Sequence, residues 1–155
     1  MTDGRALSSQ LSKTAALAFG AAVFLAAGAA HADPCRAPLP RHGARFEGPV
    51  RYIGDGDSLC IGPTADPATW IEIRLADFYA PELHEAGGRE ARAALIRIAE
   101  GRQLNCIADH RSYDRIVAEC TLDGVALGQL LRRAGIAEGG RGYPPRTGGK
   151  RFHGD

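Results

Sequence analysis

Short runs in which apolar and polar residues alternate dominate the middle of the chain and predict a mainly β fold. A period of two residues is typical of a strand that buries one face. The clearest run, WIEIRLA at residues 70–76, places three apolar side chains on one face and Glu72 and Arg74 on the other. Shorter runs predict four further strands, at residues 46–53, 58–62, 102–108 and 115–122.

Two segments have the spacing of amphipathic helices instead. Residues 85–101 place Ala91, Leu95 and Ile98 on one side, and residues 125–134 carry a stripe of leucines. The predicted order is therefore three strands, a helix, two strands and a helix. This order indicates an α+β, mainly β class: a five-stranded OB-fold Greek-key barrel with a helix between strands 3 and 4 and a second helix after strand 5.

The first residues of the chain have the composition of an export signal. A polar start with Arg5 and Lys13 precedes an apolar run without charge, and AHA at 30–32 predicts cleavage after Ala32. A retained membrane helix is the alternative, but the run is rich in Ala and Gly and ends in a good cleavage site. We therefore expect a periplasmic or extracellular protein that has no membrane contact after cleavage. The predicted organisation is signal peptide 1–32, N-terminal arm 33–45, globular domain 46–137 and disordered tail 138–155.

The charge balance counts mildly against an indiscriminate polyanion binder that acts through bulk electrostatics. The chain carries 19 Lys and Arg against 18 Asp and Glu, whereas such binders are usually strongly basic. A polyanionic partner would therefore have to meet a local cluster of arginines, whose planar forks suit phosphate oxygens. Nothing in the sequence demands more than a monomer.

Four cysteines lie outside the predicted signal peptide, which favours two disulfides in an exported domain. A zinc site is the rival interpretation, but there is no C-x-x-C pair and the histidines are scattered. Cys106 and Cys120 fall near opposite positions of one predicted hairpin, where a bridge is feasible. We therefore pair Cys106 with Cys120, and Cys60 with Cys35 in the arm.

Four motifs in this order resemble those of the staphylococcal nuclease (thermonuclease) family. They are DGDSL at 55–59, IRLADFYAPE at 73–82, YDR at 113–115 and DGVALGQLLRRAGIA at 123–137. The resemblance spans residues 46–137. It implies a calcium-dependent phosphodiesterase that acts on DNA and RNA.

The resemblance also implies roles for individual residues. Arg74 and Arg115 would be the two arginines that bind phosphate and stabilise its charge, and Glu82 would orient or deprotonate the attacking water. These roles suit phosphodiester hydrolysis, because guanidinium forks can bind the oxygens on which negative charge accumulates.

A divalent cation, calcium by resemblance, would be bound by the Asp57 carboxylate and the Ala80 backbone carbonyl. Tyr113 would lie along the nucleotide. The chain departs from the family at Tyr79, which stands where the family has its second metal-binding aspartate, and a phenol is a poor calcium ligand at neutral pH. Asp77 is a candidate substitute, but it needs a bulge or bend after the strand to reach the site.

Tyr79 therefore leaves two alternatives to a nuclease open. One is a catalytically impaired OB-fold module that binds nucleic acid without hydrolysing it. The other is a disulfide-stabilised envelope interaction domain whose arginines contact a protein partner. Both arginines and Glu82 favour the enzyme, and Tyr79 favours the binding module.

Overall fold

A computed structural model of the protein describes residues 33–143 together with Met1. The predicted signal peptide and residues 144–155 of the predicted tail lie outside the described residues. Within the part of the chain that the structure describes, no helix has the length and apolar character needed to cross a membrane.

The alternating segments form strands that close into a ring. The elements are β1 (Arg45–Ile53), β2 (Ser58–Ile61), β3 (Ile71–Leu75), α1 (Gly88–Ala99), β4 (Gln103–Ser112), β5 (Arg115–Leu122), β6 (Val125–Ala126) and α2 (Leu127–Arg133). The strand order is β3-β2-β1-β4-β5-β6, with antiparallel neighbours, and a parallel pairing of β3 with β5 closes the ring. The mainly β class with two helices is thereby confirmed.

The core fills the inside of this ring and its contact with the helices. The apolar positions of the alternating strands point inward because one face of each strand must leave water. Those that are at most 1% exposed include Leu59, Ile61, Ile73, Leu75, Leu104 and Ile116. Ala91 and Leu95 of α1 and Leu127 and Leu131 of α2 complete the core and are 0% exposed.

The structure differs from the sequence-based prediction mainly where a strand continues past the run of alternating residues that predicted it. β4 continues to Ser112 and pairs there with Arg115, so that only two residues form the turn to β5. The polar segment 109–112 was predicted as a loop, but backbone pairing with β5 extends the strand without an apolar face. Val125 and Ala126 form β6 rather than the first turn of a helix.

Both cysteine pairs predicted from the sequence lie at disulfide distance. Cys106 and Cys120 are opposite residues of β4 and β5, with a Cα–Cα distance of 4.2 Å. Cys60 of β2 is joined to Cys35, with a Cα–Cα distance of 6.0 Å. Two disulfides indicate an oxidising, non-cytoplasmic compartment.

The arm that contains Cys35 packs along the protein instead of extending from it. The amides of Arg36 and Ala37 donate hydrogen bonds to the carbonyls of Pro67 and Trp70, at 3.1 and 2.9 Å. Pro67 begins a one-turn 3-10 helix (Pro67–Thr69) just before β3. The disulfide and these backbone bonds together fix the arm beside β2 and β3.

Asp77 connects the end of β3 to the start of α2. Its Oδ2 accepts a hydrogen bond from the Gly128 amide at 2.9 Å, and its backbone carbonyl accepts one from the Arg132 guanidinium. Burial raises the pKa of the Asp77 carboxyl, against the effect of the Gly128 bond. The carboxylate is thus committed to the first turn of α2.

Gly128 permits this contact because it has no side chain. A Cβ at this position would lie 2.5 Å from both the carbonyl oxygen and the Oδ2 of Asp77. The sequence alone suggests only that Gly128 weakens the helix, since alanine is the better helix former by about 1 kcal/mol.

We expect Gly128→Ala to lower the free energy of unfolding by about 1–3 kcal/mol, because overpacking against Asp77 exceeds the gain in helix propensity. Urea denaturation followed by circular dichroism measures the change. Gln129→Ala, at the next and exposed position, is the matched control and should leave stability nearly unchanged. A Gly128→Ala protein more stable than wild type would contradict the packing described.

Candidate active site

A polar cleft of about 170 Å³ opens where β2, β3 and β5 meet the chain that leads into α1. It is lined by Asp55, Asp57, Arg74, Ala80, Pro81, Glu82, Arg115 and Arg141. Five of these residues are those that the sequence predicted for catalysis or metal binding. The structure therefore brings together residues from separate segments of the chain.

Asp57 lies at the back of the cleft on the tight turn between β1 and β2. Its amide donates a hydrogen bond to Asp55 Oδ1 at 2.9 Å, which stabilises the turn. Gly56 lets the turn approach α1, because a Cβ there would lie 2.5 Å from the Cβ atoms of both Ala80 and Ala91. The sequence DGD is thus required by close packing as well as by turn geometry.

Asp57 is 6% exposed, and its carboxylate contacts two other segments of the chain. Its Oδ2 accepts a hydrogen bond from the Ala80 amide at 2.6 Å and lies 3.3 Å from Arg74 Nη2. Burial raises the pKa of Asp57 to about 7, while the Arg74 guanidinium acts to lower it. The cleft therefore contains a carboxylate whose negative charge is only partly compensated.

Arg74 is held in a fixed orientation at the end of β3. Its Nη1 donates to the carbonyls of Leu75 and Phe78 at 2.7 and 2.9 Å, and its guanidinium carbon lies 4.8 Å from the centre of the Tyr79 ring. With the Asp57 contact, these bonds engage both terminal nitrogens of the guanidinium, Nη1 and Nη2. A guanidinium oriented before ligand binding is suited to bind an anion at small reorganisation cost.

Arg115, the first residue of β5, lies between two groups of carboxylates. It acts to lower the pKa of Asp57 in the cleft and that of Glu72 on the adjacent strand. The carboxylates of Glu72, Asp33 and Asp114 come within 4.8 Å of one another. Burial and the nearby Asp33 carboxylate raise the pKa of Glu72 to about 7.

Glu82 is positioned by the turn that leads into α1. Its carbonyl accepts a hydrogen bond from the Glu85 amide, and its own amide donates to the Glu85 carboxylate, at 2.8 and 2.9 Å. Gly88 allows the first residue of α1 to lie against this turn, since a Cβ at Gly88 would collide with the Glu82 carbonyl. The Glu82 side chain is about one-third exposed and lines the cleft.

Residues 138–143 pack beside the cleft, although the sequence predicts a disordered tail from residue 138. The Gly139 amide donates to the Tyr79 carbonyl at 2.9 Å, and Glu138 Oε1 lies 2.8 Å from Arg132 Nη2. Arg141 Nε lies 3.7 Å from Glu82 Oε1 and lines the cleft as its third arginine. Composition alone does not predict that this segment is ordered, because the order depends on contacts with residues about sixty positions earlier in the chain.

Two predicted site residues lie elsewhere. Tyr113 occupies the β4–β5 turn with φ of 59° and is 89% exposed, so no contact in the described structure fixes its ring. Asp77 is not among the residues that line the cleft, and its carboxylate bonds to Gly128 instead. The chain therefore does not use Asp77 to replace the carboxylate that the family resemblance expects at Tyr79.

The oxygens of the cleft fit a divalent cation that needs few protein ligands. The cleft offers the carboxylates of Asp55, Asp57 and Glu82, and Ala80 lies beside them; the ring of Tyr79 lies against the Arg74 guanidinium. Calcium takes six to eight oxygen ligands, whereas magnesium is commonly bound through one or two carboxylates together with substrate phosphates.

No protein-family model and no curated protein matches this chain. The geometry of the cleft and the four motifs are the observations that bear on function.

We expect the free energy of unfolding to decrease as the pH rises from about 5 to about 7. We assign this decrease to Glu72. Because its pKa is raised to about 7 in the folded protein, the folded state binds more protons than the unfolded chain in this window, and stability decreases as pH rises. Glu72→Gln should add about 1–3 kcal/mol at pH 8 and little near pH 4.

Urea denaturation at several pH values in the presence of chelator measures this difference. The facing groups that share the effect are Asp33, Asp114 and Arg115. Glu119→Gln, exposed on β5, controls for the loss of one negative charge. Equal stabilisation of the two variants at pH 8 would show that Glu72 is not under strain from its neighbours.

Proposed function

We propose that this protein is an exported nuclease, a hydrolase that cleaves phosphodiester bonds of DNA, RNA or both. The observation that carries the proposal is the placement of Arg74, Arg115 and Glu82 around one polar cleft beside the buried Asp57 carboxylate. This arrangement supplies two guanidinium groups and one accessible carboxylate. Backbone carbonyls hold the guanidinium of Arg74. The arrangement matches what hydrolysis of a phosphate diester requires.

The proposed reaction begins with a diester phosphate bound between Arg74 and Arg115. Their N–H groups stabilise the negative charge that develops on the non-bridging oxygens. Glu82 orients a water molecule and accepts its proton as the new O–P bond forms and the bond to the leaving oxygen breaks. The leaving oxygen takes a proton from solvent.

A divalent cation would be bound by the Asp57 and Asp55 carboxylates together with the Ala80 carbonyl. When bound, it would add positive charge next to the phosphate and act as a Lewis acid. It would also offset the negative charge of Asp57, whose pKa is raised to about 7 by burial. We propose magnesium or manganese in this role, in place of the calcium that the resemblance implies.

Fold and compartment support the same proposal. We infer that the closed ring of strands, with α1 between β3 and β4, is an OB-fold, an architecture that often binds oligonucleotides. The disulfides indicate an oxidising compartment, which agrees with export through the predicted signal peptide. We propose the periplasm or the extracellular space.

A second candidate function is a nucleic-acid-binding module without catalysis. The observation that favours it is the position of Tyr79, whose ring stacks on Arg74 where the resembled family has a metal-binding carboxylate. In this case Arg74 and Arg115 would still hold a phosphate. The loss of the second metal ligand would leave hydrolysis too slow to matter.

We expect the disulfide-bonded protein to cleave single-stranded DNA or RNA with magnesium or manganese and not with chelator. Glu82→Gln and Arg115→Ala should each lower kcat about 10²–10³-fold, because each removes a group that acts on the transition state. Gel assays of a labelled oligonucleotide measure the rate. Arg133→Ala, exposed on α2, is the matched control for loss of a positive charge.

Absence of cleavage with every cation, with the oligonucleotide still bound, would support the binding module instead. Cleavage unaffected by Glu82→Gln would contradict the assigned role of that residue.

We expect Tyr79→Asp to shift the metal preference toward calcium. The new carboxylate would stand next to Ala80 and add a hard oxygen ligand, so calcium affinity should rise at least about tenfold. Isothermal titration with calcium measures the affinity.

Tyr79→Asn is the control, because it also removes the ring from Arg74 without adding a charge. Equal calcium affinity of the two variants would mean that position 79 does not face the metal site.

A further inference from the structure

A second concave surface lies at the start of α1 and the turn before it. It has a volume of about 420 Å³ and is lined by Leu83, His84, Arg89, Arg92, Ala93 and Ile96. We call this surface the α1 groove. Three of its lining residues carry basic side chains, three are apolar, and none carries a carboxylate.

The basic side chains of the α1 groove are available to a ligand. Arg89 and Arg92 are three residues apart on α1, so they lie on the same face of the helix. Arg92 Nε donates to the Ile53 carbonyl at 3.1 Å, which holds its guanidinium at the groove. Within residues 33–143, Arg89 and His84 have no ion pair and no side-chain hydrogen bond, and both are exposed.

The apolar part of the groove is the second feature. Leu83 is 41% exposed and lines the same cavity as Ala93 and Ile96. Single-stranded nucleic acid is bound by positively charged grooves that follow its backbone and by aromatic rings or guanidinium planes on which its bases stack. The α1 groove has the positive charge, with aliphatic side chains where such sites usually have aromatic rings. A duplex would present only its backbone to such a surface.

Consecutive residues of the chain line the cleft and the α1 groove. Leu83 and His84 directly follow Glu82, which lines the cleft. The close approach of Gly88 to the Glu82 carbonyl fixes this turn against α1. A strand whose scissile phosphate lies between Arg74 and Arg115 would have to pass Glu82 to reach the groove.

We propose that the α1 groove binds the nucleotides adjacent to the scissile phosphate of single-stranded nucleic acid. This inference rests on the proposed function, because it assumes that the cleft holds a phosphodiester. Arg89, Arg92 and His84 contact the phosphates, and Leu83, Ala93 and Ile96 contact a base without reading its identity. The protein then prefers strands of several nucleotides over dinucleotides, with little sequence selectivity.

Equilibrium binding with two probes tests the proposal. The probes are a single-stranded 12-mer and a dinucleoside monophosphate. Each is titrated, in chelator, into the Glu82→Gln protein and into the same protein that also carries Arg89→Ala and Arg92→Ala. The double substitution should weaken 12-mer binding at least about tenfold and leave dinucleotide binding unchanged within about twofold. The slope of log K against log salt should fall in magnitude by about 1.4, since each cation on a single strand contributes about 0.7.

Two further variants control for misfolding and for nonspecific effects of charge. Arg89→Glu reverses the charge of an exposed side chain and should weaken 12-mer binding at least as much as Arg89→Ala does. Arg97→Ala, exposed in the last turn of the same helix and outside the groove, should have no effect on either probe.

Each other outcome overturns the proposal in an identifiable way. Unchanged 12-mer affinity in the double variant excludes the groove while leaving the cleft and its proposed function intact. Equal loss of both probes means that the substitutions act on the cleft. Competition by a poly-glutamate 12-mer at similar concentration means that the groove binds acidic peptides. Groove-dependent binding without cleavage under any cation retains the groove and rejects the nuclease.

Discussion

A buried carboxylate joins three separate segments of this protein into one cleft. Asp57, on the turn after β1, accepts a hydrogen bond from Ala80 and pairs with Arg74 at the end of β3. Burying a carboxylate is expensive unless it is hydrogen-bonded and paired. The turn, the end of β3 and the segment before α1 are therefore positioned together, and Glu82 follows two residues after Ala80.

The two predicted phosphate-binding arginines are supported in different ways. Arg74 is held by two backbone carbonyls, by Asp57 and by the ring of Tyr79. Arg115 has no such backbone anchor in the described structure and lies among carboxylates of the cleft and of the Asp33–Glu72–Asp114 group. The ring of Tyr79 thus supports the Arg74 guanidinium beside the cleft.

The sequence predicts those parts of the structure that depend on local pattern. Alternation predicts the five principal strands. The positions of Cys106 and Cys120 on one hairpin predict the disulfide between these two cysteines. The motifs identified five of the residues around the cleft. Each of these features can be read within a few residues of the chain.

Features that depend on distant contacts were not predicted. Asp77 bonds to an amide 51 residues later in sequence, and its own neighbourhood gives no indication of that partner. Arg141 reaches the cleft because Gly139 and Glu138 bind segments near Tyr79 and Arg132. The Gly- and Pro-rich composition of that region indicated disorder instead. The β4 extension to Ser112 likewise follows from pairing with β5 and not from its own side chains.

The proposed function depends on the binding of the charged oxygens of a phosphodiester by Arg74 and Arg115. Calorimetric titration in chelator tests this binding, with a dinucleoside monophosphate and with its uncharged methylphosphonate analogue of nearly the same shape. We expect the diester to bind at least about tenfold tighter, because charge-assisted hydrogen bonds are lost in the analogue. Arg115→Ala should remove most of this preference. Equal affinity of the wild-type protein for the two compounds would show that the two arginines do not bind the phosphodiester charge.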